Sequence, residues 1–320
     1  MMRRRALGRT GLEISEIGLG AWPIGGASYG DVAEEQAAAV LEAYFEEGGN
    51  FIDTARSYGE SERRIGESLR RHGNRDSLII ATKSPHTQSP DDLVCIREDL
   101  ETSLRLMGID HVDLYYLHSP PEDRDLMRKV LDEFERLKEK GLIRYIGASI
   151  KGPNVTQDTV DLCRQYVDSG RVDAIQLIFS VFRQRNREAI RYALDHGVGI
   201  VARTALESGF LTGKYDPELP RIDGNHRARW SGHKLQAMLK EALELQEWAI
   251  QPPYHSLAQV ALAYVLAEEG VSTIIVGAKN RYQVVGNTEV GELPLIDRDT
   301  YARLSAAYAQ FTDRANTGAE

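Results

Sequence analysis

The chain has 320 residues, of which 42% are apolar and 27% charged, and a formal net charge of −9. That acidity excludes nucleic-acid binding through general electrostatics, which needs clustered Lys and Arg. No apolar run approaches the roughly 18 residues of a membrane-spanning helix, so neither nucleic acid nor a membrane is an expected partner.

Arg3, Arg4 and Arg5 form a tight basic run, but no apolar stretch follows them as it would in a signal peptide. Two cysteines, Cys95 and Cys163, are too few for a disulfide framework or a Cys-rich metal site. Both fall in helix-like segments and are expected to be reduced and buried, which fits a cytoplasmic setting. No metal site is expected.

In chain order, Arg5–Ile14, with Gly8 and Gly11 inside it, predicts a hairpin. Eight short apolar runs follow: Glu16–Gly20, Asn50–Asp53, Leu78–Lys83, Val112–His118, Arg144–Ser149, Ala174–Ile178, Gly199–Arg203 and Ser272–Gly277. Consecutive apolar residues within several of them are the pattern of parallel strands buried on both faces. Eight such strands alternating with helices predict an α/β fold, a (β/α)8 TIM barrel, as a single domain over 1–320.

Helical periodicity fills the intervals. Asp31 and Glu34 form a candidate capping box ahead of Val40, Leu41, Tyr44 and Phe45. Gly48, Gly108, Gly141 and Gly197 stand where left-handed C-terminal caps are wanted. Two helices, near Leu235–Trp248 and Leu257–Leu266, lie between the seventh and eighth strands, so one of them belongs to an insertion. The insertion opens with the turn-rich stretch Thr212–Ser231, holding Gly213, Pro217, Pro220, Gly224 and Trp230. This stretch is a surface loop or a flap over the site.

Asp53 and Tyr58 in FIDTARSYG, Lys83 in LIIATKSP and His118 in VDLYYLHSP each lie at or just past the end of a predicted strand. In a β/α barrel those ends converge on one face, where the chemistry sits. Singly, each has a bland explanation: a packing Tyr, a surface Lys, an Asp capping the next turn, a loop His. Together they match the needs of carbonyl reduction. A phenol with an unperturbed pKa near 10 is a poor acid near neutrality, an adjacent ammonium tunes it, a carboxylate holds the ammonium, and an imidazole orients the carbonyl. Gly18-Leu19-Gly20 is no dinucleotide fingerprint, because Pro23 takes the third glycine position. A Rossmann domain is therefore rejected.

These residues, with LGRTGLEISEIGLG, GGNFIDTARSYGESERRIGESL, IIATK, DLYYLHSP, YIGAS, LTGKY and IVGAKNRYQVVGN, make the chain resemble the aldo-keto reductase superfamily from about Leu7 to about Leu304. The resemblance implies NAD(P)H bound along the barrel top, with hydride passing to a small aldehyde or ketone. Asp53, Tyr58, Lys83 and His118 would form the catalytic tetrad, with Tyr58 as general acid. Ser149 and Gln176 would hold the nicotinamide carboxamide, although Ile150 stands where the family usually has Asn. Arg203 replaces a stacking aromatic, and its planar guanidinium can serve the same end. Thr204, Leu206, Ser208 and Gly209 would follow the pyrophosphate, and Gly20, Ala21 and Trp22 would flank the cofactor.

Gly277, Lys279, Gln283 and Asn287 would meet the adenosine, where Gly286 replaces a usual acidic residue. Lys279 favours NADP, with NAD as the alternative. Trp22 and Tyr29 are candidate pocket walls. Other readings stay open: an NADP(H)-binding regulatory or sensing subunit with slow turnover, or a barrel lyase or isomerase using Lys83 as a Schiff base. The substrate and the oligomeric state are not legible.

Overall fold

The computed structural model describes residues 2–26, 30, 32–152, 155–215 and 232–317, with 232–234 and 308–317 described as backbone alone. Two short strands, β1 (Arg4–Ala6) and β2 (Glu13–Ser15), pair antiparallel as the expected hairpin. The barrel strands follow: β3 (Ile17–Gly20), β4 (Phe51–Asp53), β5 (Ile79–Lys83), β6 (Val112–His118), β7 (Ile143–Ser149), β8 (Ala174–Ile178), β9 (Gly199–Arg203) and β10 (Val271–Val276). Each pairs parallel with its sequence neighbour, and β10 closes on β3. Every predicted strand is present, with ends shifted by no more than one residue.

Two apolar clusters hold this arrangement. One lies inside the barrel and joins Phe51, Ile79, Leu114, Tyr116 and Val201 to Leu7, Leu12 and Ile14 of the hairpin segment. The hairpin therefore stoppers the barrel at the N-terminal ends of its strands. Its fit there is tight: a Cβ on Gly8 would fall 2.3 Å from the amide nitrogen of Gly199. The larger cluster lies between strands and outer helices.

The hairpin is also tied to the last strand. Arg5 donates to Glu16 at 2.6 Å and to the Val271 carbonyl at 2.9 Å, while Thr273 donates its hydroxyl to the Ser15 carbonyl at 2.8 Å.

The helices seal the outside. Among them are α1 (Glu34–Glu46), α2 (Ser61–His72), α3 (Leu93–Met107), α4 (Arg124–Glu139), α5 (Gln157–Asp168) and α6 (Arg187–Asp195). The connection from β9 to β10 carries α7 (Gly232–Ala249) as well as α8 (Leu257–Ala267), confirming the insertion. After β10 come α9 (Arg281–Thr288) and α10 (Arg298–Thr317). Gly48, Gly108, Gly141 and Gly197 all have positive φ at or next to helix ends, as expected.

Two expectations are corrected. The N-cap of α1 is Ala33, and Glu34 is the first helical residue, bonded to Arg63 and Arg64 of α2 rather than closing a capping box. Cys163 is buried, its thiol pushed up to about 12 by desolvation, but Cys95 is exposed, because its face of α3 points outward. Asp31, Tyr29, Pro217, Pro220, Gly224 and Trp230 lie outside the described residues.

Candidate active site

Strand register brings the predicted residues to one level. Gly20 pairs with Asp53, Lys83 with Tyr116, His118 with Ser149, and Ser149 with Gln176. Their strands end at the rim of a cleft of about 910 Å³ at the C-terminal face. Lys83 reaches this floor from below, fully enclosed. Its Nζ donates to Asp53 Oδ1 at 2.6 Å and to the Thr54 carbonyl at 2.7 Å. It lies 4.8 Å from the Tyr58 ring centroid on one side and 5.8 Å from that of Tyr116 on the other.

Burial alone would favour the neutral amine. The charge of Asp53 and the neighbouring Tyr58 outweigh it, so Lys83 titrates above its ordinary value. The second Asp53 oxygen accepts from Gln176 Nε2 at 2.7 Å, and Gln176 Oε1 accepts from the Ser149 hydroxyl at 3.0 Å. Asp53 thus links Lys83, Gln176 and Ser149 into one chain of hydrogen bonds.

Tyr58 sits on the loop between β4 and α2. Its ring lies edge-on to His118, centroids 6.4 Å apart, and tilted against Trp22 at 5.9 Å. The loop is braced by Gly25, which leaves no room for a side chain against the Tyr58 carbonyl. His118 is mostly buried, and desolvation first, then the charges of Lys83, His86 and Arg203, push its pKa down to about 3. The imidazole is therefore neutral throughout the physiological range.

Of the remaining predicted positions, Gly20, Trp22, Ser149, Gln176, Arg203, Thr204, Leu206, Ser208, Gly209, Gly277, Lys279, Gln283 and Asn287 all line the cleft. Ala21 lies behind the wall, its side chain in the outer core. Arg203 crosses the rim to donate to the Ile150 carbonyl at 2.8 Å. Gln283 Oε1 accepts from the Lys279 amide at 2.8 Å, fixing the turn into α9.

Sequence reasoning missed three features. Ser119, Thr204, Glu207 and Ser208 hold left-handed backbone without being glycine, a strain that clusters at functional sites. Glu207 is buried and pairs with Arg183, Nη2 to Oε2 at 2.5 Å, anchoring that segment from beneath. His86 stands against His118, ring centroids 4.6 Å apart and nearly perpendicular. Only His86 had a legible signal, its place three residues past the Lys83 strand end.

Cationic side chains also outnumber carboxylates along the cleft, with Arg183 paired to Glu207 and Lys151 to Glu122. Lys151, Arg183, Arg203, Lys214 and Lys279 line it, and Asp53 is the only carboxylate among its described lining residues. Such a wall draws an anionic ligand. Among the described residues no cluster of His, Cys, Asp or Glu could hold a metal ion, and no helix is long and apolar enough to cross a membrane.

Comparison with known proteins agrees with this fold. The model of the Aldo/keto reductase family matches residues 16–309. The chain is 30% identical to an NADH-specific methylglyoxal reductase of Escherichia coli, over 93% of this chain and 96% of that one. It is 29% identical to an uncharacterised oxidoreductase of Bacillus subtilis, over 90% of each. Among solved structures, the holo form of an aldo-keto reductase from Bacillus halodurans superposes with a TM-score of 0.76 at 26% identity, covering 97% of this chain and 96% of that one. A closed eight-stranded barrel with this hairpin, and a family match over nearly its whole length, make the chain a member of the aldo-keto reductase family, an oxidoreductase of carbonyl compounds.

Proposed function

We propose that the protein reduces aldehydes or ketones to alcohols, with NADPH as hydride donor and Tyr58 as general acid. The observation that carries this reading is the buried contact of Lys83 with Asp53 directly beneath Tyr58. Tyr58 gives its proton to the carbonyl oxygen as that oxygen takes on negative charge. The Lys83 ammonium stabilises the charge left on the phenol oxygen, and Asp53 keeps the ammonium charged and in place. Neutral His118 donates a hydrogen bond to the same carbonyl and orients it.

NADPH, when bound, supplies the hydride. The cationic wall and the strained backbone of Thr204 to Gly209 fit an extended phosphate-bearing cofactor. In this reading Thr204, Leu206, Ser208 and Gly209 follow the pyrophosphate, Ser149 and Gln176 hold the carboxamide, Arg203 packs on the nicotinamide, and Gly20, Ala21 and Trp22 flank it. Gly277, Lys279, Gln283 and Asn287 meet the adenosine, with Lys279 on the 2′-phosphate.

The Schiff-base alternative is disfavoured, because such a lysine needs a depressed pKa and Lys83 is shifted the other way. The test is a panel of aldehydes and ketones followed by NADPH absorbance, repeated with Tyr58→Phe. We expect turnover that falls on the order of 10²–10⁴-fold in the variant, with NADPH affinity retained. Near-normal kcat in Tyr58→Phe would remove Tyr58 from the acid role. NADPH binding with negligible turnover across the panel would favour a sensing subunit.

A further inference from the structure

On the outer side of β5 two buried polar side chains meet away from the cleft. Glu62, in the first turn of α2, is 1% exposed, and Thr82, the residue before Lys83, is fully buried. A carboxylate in a first turn ordinarily stays at the surface, where it favours the helix dipole and keeps its water. Glu is almost never fully buried unless paired. Here Glu62 Oε1 accepts from the Thr82 hydroxyl at 2.7 Å. Its other oxygen has no hydrogen-bond partner among the described residues, and neither has the buried hydroxyl of Ser103 on α3. The Arg56 guanidinium stands off at 4.0 Å. Burial outweighs Thr82, Ser103 and Arg56 and raises the Glu62 pKa above its ordinary value. A neutral side chain of the same shape can therefore stand in for it.

The bond joins the two elements on which the proposed proton step depends. Successive residues of a strand point to opposite faces, so Thr82 turns outward to α2 while Lys83 turns inward to Asp53. Tyr58 lies on the loop from β4 to α2, and both ends of that loop are tied to β5. At its start the Thr54 amide donates to the Ala81 carbonyl at 2.8 Å. At its end Glu62 takes the Thr82 hydroxyl. The Thr54 and Ser61 hydroxyls bond across the base at 2.8 Å. Among the described residues, the Glu62 contact is the one side-chain hydrogen bond from α2 to β5.

We infer that Glu62 is a positioning residue, which clamps the end of the Tyr58 loop to β5 through Thr82 and so holds Tyr58 against Lys83. The inference rests on the carbonyl-reductase reading, in which those two groups share the proton step.

The test measures kcat, NADPH affinity and Tm in three variants and one double variant. Glu62→Met keeps the bulk and removes the acceptor, and Thr82→Val removes the donor with little change of shape. Glu62→Gln keeps an acceptor for Thr82 and adds a donor for Ser103. With an aldehyde that the wild type turns over, Glu62→Met and Thr82→Val should each lower kcat about tenfold or more, because small misplacement of a reacting group is costly in rate. Combining the two should cost no more than the slower one alone, since both remove the same bond. Glu62→Gln should recover most of the loss. NADPH affinity, read by fluorescence titration, should be unchanged throughout and confirms that each variant is folded.

A bond with a structural role alone would lower Tm and leave kcat as it was. That result in Glu62→Met and Thr82→Val overturns the inference and leaves the reductase standing. So does a Glu62→Gln variant as slow as Glu62→Met. Should Glu62→Met fail to fold, kcat in Thr82→Val decides by the same criterion. A wild type that turns over no carbonyl compound overturns the reductase reading, and the inference with it.

Discussion

Gly25 lies so close to Tyr58 that a Cβ on the glycine would fall 1.7 Å from the Tyr58 carbonyl oxygen. The contact is reinforced from the other side, where the Glu60 amide donates to the Gly25 carbonyl at 3.1 Å. The loop bearing the proposed acid is thus positioned by a residue that has no side chain. Gly25→Ala must push that loop outward. Displacement of a reacting group by about 1 Å costs on the order of 10²-fold in rate, whereas overpacking of this kind costs roughly 1–3 kcal/mol in stability. The expected result is a folded variant with modestly lowered Tm and kcat reduced about a hundredfold. A variant with wild-type kcat would show that Tyr58 does not depend on this support.

Removing the Lys83 charge should act on both stability and catalysis. Lys83→Met leaves Asp53 buried without its cation, a change that typically costs about 3–5 kcal/mol. Because the folded-state pKa of Lys83 is raised, its pairing contributes fully below the unfolded value of 10.5 and is lost only as pH climbs through the folded value. The destabilisation should therefore be constant from neutrality to pH 9. Adding Asp53→Asn should restore much of the stability and none of the activity. Thermal melts of both variants, with kcat measured alongside, check the two halves separately.

His118 gives the opposite pH signature. Its folded pKa of about 3 lies below the ordinary 6.5, so between those values the unfolded chain binds the extra proton. Stability should fall as pH drops from 6.5 toward 3. His118→Gln removes that term, so its Tm should decline less steeply than the wild type between pH 6.5 and 4. Parallel Tm slopes in the two proteins would contradict the burial of a neutral imidazole.

Lys279 is expected to set cofactor preference. Arg281, two residues further on, pairs with Glu46 of α1 at 2.5 Å, so it is already engaged elsewhere. A charge-assisted contact from Lys279 to a 2′-phosphate contributes roughly 1.5–3 kcal/mol. Fluorescence titration should therefore show NADPH binding about tenfold or more tighter than NADH, a gap that shrinks strongly in Lys279→Ala. Equal dissociation constants in the wild type would reverse the assignment to NADP.

The barrel was legible because parallel strands covered on both faces are written as continuous apolar runs, and such runs survive inspection without a partner. Asp53, Lys83 and His118 were legible for the same reason: each polar residue interrupts such a run at its end. The contacts that position Tyr58 and Glu207 were not. Gly25 and Tyr58 are joined by backbone geometry that no residue type announces. Arg183 and Glu207 are 24 positions apart on the loops after different strands. Left-handed Thr204, Glu207 and Ser208 carry side chains that ordinarily avoid that conformation, so nothing local marks them. Cys95 was misjudged because helical periodicity places the apolar stripe of α3 on other residues, Ile96, Leu100 and Met107.

The stopper under the barrel also has a bearing on the order of assembly. Arg5 and Ser15 are held by Val271 and Thr273, groups separated from them by more than 250 positions of chain. During synthesis the early hairpin emerges long before its partners exist, and loop closure over that distance must be completed before the contacts return anything. The ring is therefore sealed late, by its last strand. A nascent chain arrested ahead of Val271 would carry an open sheet edge at β3 and an unanchored hairpin, the kind of surface that invites pairing with a second molecule.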